Sequence, residues 1–594
     1  MYLNLLYTSV RSALSSQYPY LTKSYYRERN ALPVIDREIL GIFKSSDIAR
    51  QRFAMATRRH KPLNLLFNRH IYHLPKITLC MVTHNSSQWI ESWMEAVASL
   101  DYPRDNIIFN IVDNGSTDDT VALLESAMGL HGYANQMQIH LNEKNLGFGY
   151  GQDLAIKKSS TEFILVINPD AFLESQSLSR AVNLAMDDDQ DVCAWEFAQI
   201  PFEHPKYYDP VTLETSWNTH SCILIRREAY LSVGGYDTNF FMYGEDVELS
   251  YRLRSKGYRL RYLPWARVTH NISSKHGLRD NQPVRALAAN LCIRRRYGRM
   301  KDRIIAYVIL ALGLFSSNKE RRNYIKKVWK LYKELRPNFK PNRPKGIFFP
   351  FSGVNFEQRR AGVLTSIPKF SKTPLISVIT RVHKITPTLQ EAIASIKHQT
   401  YPAIEHIIVC DKGIKISQPG AKVVSINDHH RAKAGNVGAK AANGKFLLFL
   451  DYDDLLFADH IEGLVGTILA NPDSICAYAY SWEAIAKHRQ GGRLKYFGPQ
   501  LGMESQFNAA VDLKSHNYFA IQSVLIRKKF FDDIEGFNED LNYLEDWDLW
   551  RRLSLKGKFI AYPKTTSIYF TPGLEKDRIK RIWNFTLQSS KNFQ

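Results

Sequence analysis

One pattern is written twice in this chain, and a repeated unit has to be able to build its own core twice. The stretch LLFLDYDDLL (447–456) has a counterpart in FILVINPDAF (163–172). Each is an apolar run closed by a short polar cluster, with Asn168 opposite Asp451 and Asp170 opposite Asp453. Upstream, NIIFNIVDNGS (106–116) corresponds to IEHIIVCDKG (404–413), which sets Asp113 against Asp411, and ITLCMV (77–82) corresponds to LISVIT (375–380). Downstream, CILIRR (222–227) corresponds to SVLIRK (523–528) and GGYD (234–237) to EGFN (535–538). YGEDVELSYRLRSKG (243–257) then corresponds to YLEDWDLWRRLSLKG (543–557), with Glu245-Asp246 on Glu545-Asp546. Self-similarity of this extent is a tandem duplication.

In both copies short β-rich apolar runs alternate with helix-like stretches, which predicts an α/β unit around a mostly parallel, Rossmann-like sheet. Ligands of such sheets bind beyond the carboxyl ends of the strands. The polar clusters at 113, 168–170, 411 and 451–454 all fall at predicted strand ends. We divide the chain into a helical N-terminal arm (1–74), a first domain (75–275), a basic helical linker (276–372), a second domain (373–572) and a C-terminal tail (573–594). Two domains suit 594 residues, since single cores stop growing near about 250–300 residues.

The formal net charge of +21 points to anionic partners. No nucleic-acid recognition motif accompanies it, so nucleic acid is not an expected partner. The charge concentrates in the linker, where IRRRYGRMKDR (293–303) precedes the apolar run IIAYVILALGLF (304–315) and a second basic stretch follows. That run is shorter than the roughly 20 residues a spanning helix needs. It reads either as a helix lying on an anionic membrane surface or as a helix packed between the two domains. The six cysteines are scattered, several within apolar runs, which predicts reduced buried thiols rather than a disulfide framework or a zinc site. MYLNLLYTSVRSAL lacks the basic start and continuous apolar run of a secretory signal. The expected location is cytoplasmic, peripheral on the inner face of the plasma membrane if the linker helix touches lipid.

An Asp-x-Asp at a strand end sets two carboxylates beside one tight turn, an oxygen donor set suited to Mg²⁺ or Mn²⁺. Taken together, the motifs resemble family 2 glycosyltransferases of the GT-A fold, over some 400 residues spanning both copies; the first copy is similar to rhamnosyltransferase-like members. The resemblance implies that Asp113 and Asp411 contact the donor nucleotide. It implies that Asp451 and Asp453 hold the metal and the sugar-nucleotide diphosphate, with Asn168 and Asp170 the counterparts in copy one. It assigns the general base to Asp246 and Asp546. Thr83 and Asn85 resemble the segment lining the base pocket, and Gly147, in NEKNLGFGYGQD (142–153), belongs to a loop near the nucleotide sugar. His270 stands where many GT-A enzymes place a metal-binding histidine.

Copy two departs from this pattern: residues 381–384 read Arg-Val-His-Lys, Tyr569 stands in the histidine position, and the glycine loop becomes HHRAKAGNVGAKAANG (429–444). Lys433 and Asn436 still resemble the family's loop residues. The expected activity is a bifunctional, metal-dependent, inverting glycosyltransferase. It would move sugars from UDP- or dTDP-sugar donors onto a cell-surface polysaccharide or lipid-linked glycan. The alternatives are one active domain beside a glycan-binding or scaffolding module, and a non-enzymatic scaffold, against which the twice-retained carboxylates argue.

Overall fold

The computed structural model describes residues 73–201, 207–271, 282–315, 318–345, 373–427, 429–488, 494–497, 517–541 and 543–572, with a few isolated positions besides. The expected arm, apart from residues 73 and 74, and the expected tail lie outside the described residues. Of the described residues, 73–208 and those from 213 to 359 form one compact unit, and 209–212 with those from 360 onward form a second.

The first unit is built on nine strands: β1 Ile77–Thr83, β2 Ile107–Asp113, β3 Met137–Leu141, β4 Phe163–Ile167, β5 Ala171–Leu173, β6 Val192–Ile200, β7 Glu214–Thr215, β8 Cys222–Arg226 and β9 Arg259–His270. The sheet order is β3-β2-β1-β4-β8-β6-β9-β5, with β7 beside β9. From β3 to β4 all pairs are parallel. β8 then runs against both neighbours, β6 and β9 are again parallel, and β5 reverses at the edge. The expected parallel order therefore holds for β3-β2-β1-β4 and for β6 with β9, and β8 makes the sheet mixed.

The second unit repeats the arrangement: β10 Ile376–Val382, β11 Ile404–Asp411, β12 Ala421–Ile426, β13 Phe446–Asp451, β14 Leu455–Leu456, β15 Ser474–His488, β16 Leu494–Phe497, β17 Val524–Arg527 and β18 Lys558–Pro572. Its order is β12-β11-β10-β13-β17-β15-β18-β14, with β16 beside β15. Position for position this is the first sheet again, apart from the placing of the short extra strand.

The central strands read as continuous apolar runs because helices cover both faces of the sheet. Along β1 the side chains alternate between two cores: Ile77, Leu79 and Met81 enter one, Cys80 and Val82 the other. All six cysteines are buried and free, as expected.

The helices Gln282–Tyr297 and Lys319–Leu335, which we read as linker, pack on the first unit. Val284, Leu287, Ala288, Ile325, Val328 and Tyr332 share a core with Val247 and Tyr251 of the helix Glu245–Lys256. Between them the helix Met300–Leu314 buries Ala306 and Leu310 and leaves Ile304, Ile305, Val308 and Leu314 exposed, followed by exposed Phe315. Among the described residues no helix is long and apolar enough to cross a membrane.

Candidate active sites

In the first unit the predicted residues gather at the carboxyl ends of β1, β2 and β4. Thr83 and Asp113 end adjacent strands in register. The Thr83 hydroxyl donates to Asp113 Oδ1 at 2.8 Å, and Ser116 donates its backbone N–H to Oδ2 and its hydroxyl to Oδ1. Both carboxylate oxygens are thus fixed, and Asp113 is buried at the strand end. Asn85, in left-handed backbone at φ 51°, accepts from the Thr117 N–H at 2.8 Å and pins the facing loop.

Gly147 opens the helix Phe148–Lys157 with φ 96°, and a Cβ there would stand 2.3 Å from the Phe241 carbonyl oxygen. Only glycine allows that approach. The approach brings the loop over to the segment that leads into Glu245 and Asp246; Gly149, two residues on, already faces the Glu245 side chain.

Asn168 and Asp170 follow β4, and β5 lays Ala171 beside His270 at the end of β9. His270 Nε2 lies 3.3 Å from Asp170 Oδ1. On the other side of the ring, His270 Nδ1 is 2.8 Å from Gln199 Oε1, while Gln199 Nε2 donates to Thr219. With the amide oriented by Thr219, Nδ1 carries the proton and Nε2 turns its lone pair towards the Asp170 carboxylate. Two acceptors face each other, an arrangement that a cation or a proton on the ring completes, with the tautomer set by an outer hydrogen bond as at metal-binding histidines. Asp170 and His270 therefore fit a divalent ion. Gln199, which holds the ring, is not marked by any repeat in the sequence.

Glu245 and Asp246 open the helix Glu245–Lys256, after Gly244 at φ 98°. Burial, then the neighbouring charge of Asp246, pushes Glu245 up to about 8. Its Oε2 is buried without a hydrogen-bond partner among the described residues. Glu245 is thus held as a neutral acid at neutral pH, beside Asp246 at the positive end of the helix dipole.

The second unit places its residues on the same strand ends and wires them differently. Asp451 ends β13. Arg381 Nε and Nη2 donate to its Oδ1 at 2.9 and 2.7 Å, and Arg431 Nη2 donates to its Oδ2. Arg381 Nη1 also donates to Glu545 Oε1 at 2.9 Å, and Arg431 Nε lies 3.3 Å from the same oxygen. Burial alone would raise the Asp451 carboxyl; the charges of Arg381 and Arg431 outweigh it and hold it below its ordinary value. Asp451, expected as a metal ligand, is spent on two guanidiniums and does not fit that role. Burial, then the charge of Asp451, pushes Asp453 up to about 6. Asp454 accepts from the Phe570 N–H at 2.9 Å.

Asp411 pairs with His429, which the sequence did not single out. Lys433 and Asn436 lie on the helix Arg431–Lys440. Asn436 donates to the Phe537 carbonyl and to Glu539 and accepts the Phe537 N–H, so its side chain bolts the 536–539 turn rather than facing a donor. Asp546 follows Glu545 at a helix start as Asp246 follows Glu245; burial, then the charge of Glu545, pushes it up to about 6. Asn517 donates to its Oδ2 at 3.1 Å. The β14–β18 register sets Tyr569 where β5–β9 sets His270. The signal for the missed arginines was present: Arg381 is the one charged residue of its strand, ISVITRV, and a buried Arg requires a carboxylate partner.

Residues 78–248 match the family model Glycosyl transferase family 2, and residues 377–584 match Glycosyltransferase like family 2. An uncharacterized glycosyltransferase of Rickettsia felis is 29% identical over 192 residues, covering 30% of this chain and 31% of the relative. An N-acetylglucosaminyl-diphospho-decaprenol L-rhamnosyltransferase of Mycobacterium tuberculosis is 42% identical over 82 residues, in the N-terminal part, covering 14% of this chain and 26% of the relative. The chain thus spans about a quarter to a third of the length of these relatives. Among solved structures, the mannosyltransferase PcManGT from Pyrobaculum calidifontis in complex with GDP-Man and Mn²⁺ aligns at 16% identity and TM-score 0.36, over 55% of this chain and 87% of that one. S. aureus TarS 1–349 in complex with UDP-GlcNAc aligns at 14% identity and TM-score 0.31, over 45% and 73%. The two matched segments together make up more than half of the chain, which belongs to the family 2 glycosyltransferases as a tandem of two GT-A-type domains.

Proposed function

We propose that each unit transfers a sugar from a nucleoside-diphosphate donor to an acceptor hydroxyl with inversion at the anomeric carbon. The chain would then add two successive linkages to a cell-surface polysaccharide or lipid-linked glycan. The observation that carries this reading is the Glu-Asp pair opening the same helix of the same topology in both units. Asp246 and Asp546 accept the proton of the attacking hydroxyl, and a carboxyl raised by burial, as that of Asp546 is, is a stronger base once ionised. Thr83, Asn85 and Asp113, and in the second unit Asp411, line the strand ends where the nucleotide is expected. A divalent cation, when bound, neutralises charge on the departing diphosphate; Asp170 and His270 would hold it in the first unit.

The rhamnosyltransferase relative supports a deoxyhexose donor, such as a dTDP-sugar, and a lipid-linked acceptor for the first unit. A second reading, in which the second unit binds glycan without transferring sugar, is favoured by the commitment of Asp451 and Asn436 to protein partners. Incubating the full chain with single UDP-, dTDP- and GDP-sugars, and then with pairs, and weighing the products tests both. Two added sugars support the bifunctional reading, and transfer that never exceeds one sugar overturns it.

We also place the first unit's helical layer on an anionic membrane surface. Ile304, Val308 and Phe315 are exposed on and just after the helix Met300–Leu314, and Arg295, Arg299 and Lys301 lie near them in the sequence. Ile304→Glu with Val308→Glu should release the chain from phosphatidylglycerol vesicles while leaving transfer to a soluble acceptor intact; unchanged vesicle binding removes the idea.

A further inference from the structure

The two units differ at one set of equivalent positions, and the differences compensate one another. Strand register fixes the equivalence. Ile77 pairs with Phe163 in the first unit and Ile376 with Phe446 in the second, so Val82 corresponds to Arg381 and Asn168 to Asp451. The helices Phe148–Lys157 and Arg431–Lys440 have the same length and place, so Phe148 corresponds to Arg431. Glu245 and Glu545 are each the first residue of their helix. Where the first unit has two apolar residues, an asparagine and an unpaired neutral carboxyl, the second has two guanidiniums closed on two carboxylates.

We infer that the second unit works without a divalent cation, the two arginines providing at its strand ends the positive charge that an ion would bring. The inference rests on the reading of both units as donor-binding sites. Every oxygen of Asp451 is already taken: Oδ1 by both Arg381 nitrogens, Oδ2 by Arg431. Arg381 is buried and cannot swing out to free it, since its third nitrogen is held by Glu545. A cation entering between Asp451 and Asp453 would meet two fixed positive charges. The histidine that completes the first unit's pair is a tyrosine here, a poor ligand for Mg²⁺ or Mn²⁺ while protonated. Arg431 stays half-exposed beside these carboxylates, the group through which the cluster can meet an anionic ligand.

The test counts Mn²⁺ by electron paramagnetic resonance on the full chain, with UDP, dTDP and GDP as separate probes. Wild type should saturate at one ion per chain, Asp170→Ala at none, and Asp451→Asn still at one. Giving the second unit the first unit's residues, Arg381→Val with Arg431→Phe in the Asp170→Ala background, should restore one ion. Two ions in wild type falling to one in Asp451→Asn overturns the inference. So does a folded double variant, checked by circular dichroism, that gains no ion. If the double variant does not fold, the Asp451→Asn count decides alone. No ion in wild type removes the metal from the first unit's reading, and the double variant then decides for the second. Failure of UDP, dTDP and GDP alike to bind either unit would instead remove the donor-site reading.

Discussion

The acidic cluster of the first unit and that of the second occupy the same strand ends of the same topology, yet in one Asp170 meets a histidine and in the other Asp451 is closed by two arginines. The difference shows how a buried carboxylate can be accommodated in two ways. At Asn168 the first unit gives up the charge, and Glu245 beside the site stays protonated. At Asp451 the second unit keeps the charge, and Arg381 and Arg431 supply the counter-charge from strand and helix. Arg381 would not be tolerable at its buried position without a carboxylate partner, because an unpaired buried charge costs several kcal/mol.

The comparison is broken most directly at the bases. Asp246→Asn and Asp546→Asn should each lower one linkage by about 10²–10⁴-fold while sparing the other. Product mass on an acceptor for the first step, and on a preformed intermediate for the second, separates them. An unchanged product spectrum in Asp546→Asn would make the second unit a binding module.

Next in size is the clamp. Arg381→Met leaves Asp451 and Glu545 without their buried cation and should cost the second unit about 3–5 kcal/mol, read by urea unfolding. Adding Asp451→Asn should recover part of that loss, since the two residues share one interaction. Additive losses would mean that the pair contributes nothing as a pair.

The smallest effect is in pH. Asp546 accepts a proton only when ionised, and its folded value lies near 6, above the ordinary aspartate value of 3.8. The second linkage should therefore slow about tenfold per unit below pH 6 and level off above it. Stability runs the other way: a carboxyl that binds its proton more tightly when folded stabilises the unit below about pH 4, and this contribution is lost as pH rises through about 6. A rate profile flat from pH 5 to pH 7 would take the base role from Asp546.

What the sequence determined by itself is the set of features carried by local pattern and repetition. Continuous apolar runs such as FILVI and LLFL mark doubly covered strands, the duplication doubles the fold, and Asp113, Asp170, Asp411 and Asp451 stand at strand ends because polar residues closing such runs have nowhere else to go. The positions of Asp246 and Asp546 could be read because a Glu-Asp pair opens the same helix-like segment twice. What only the tertiary structure decided is which side chains meet across long separations. Arg381 reaches Glu545 over 164 residues, and Gln199 turns His270 over 71. Asn436 is taken up by a turn 101 residues away. The helices after residue 282 likewise pack on the first unit, because the apolar face of Glu245–Lys256 needs a cover that no local pattern names. Strand and helix periods are properties of neighbours in the chain. The pairing of buried charges is a property of neighbours in space, and it is there that two copies of one pattern have become two different sites.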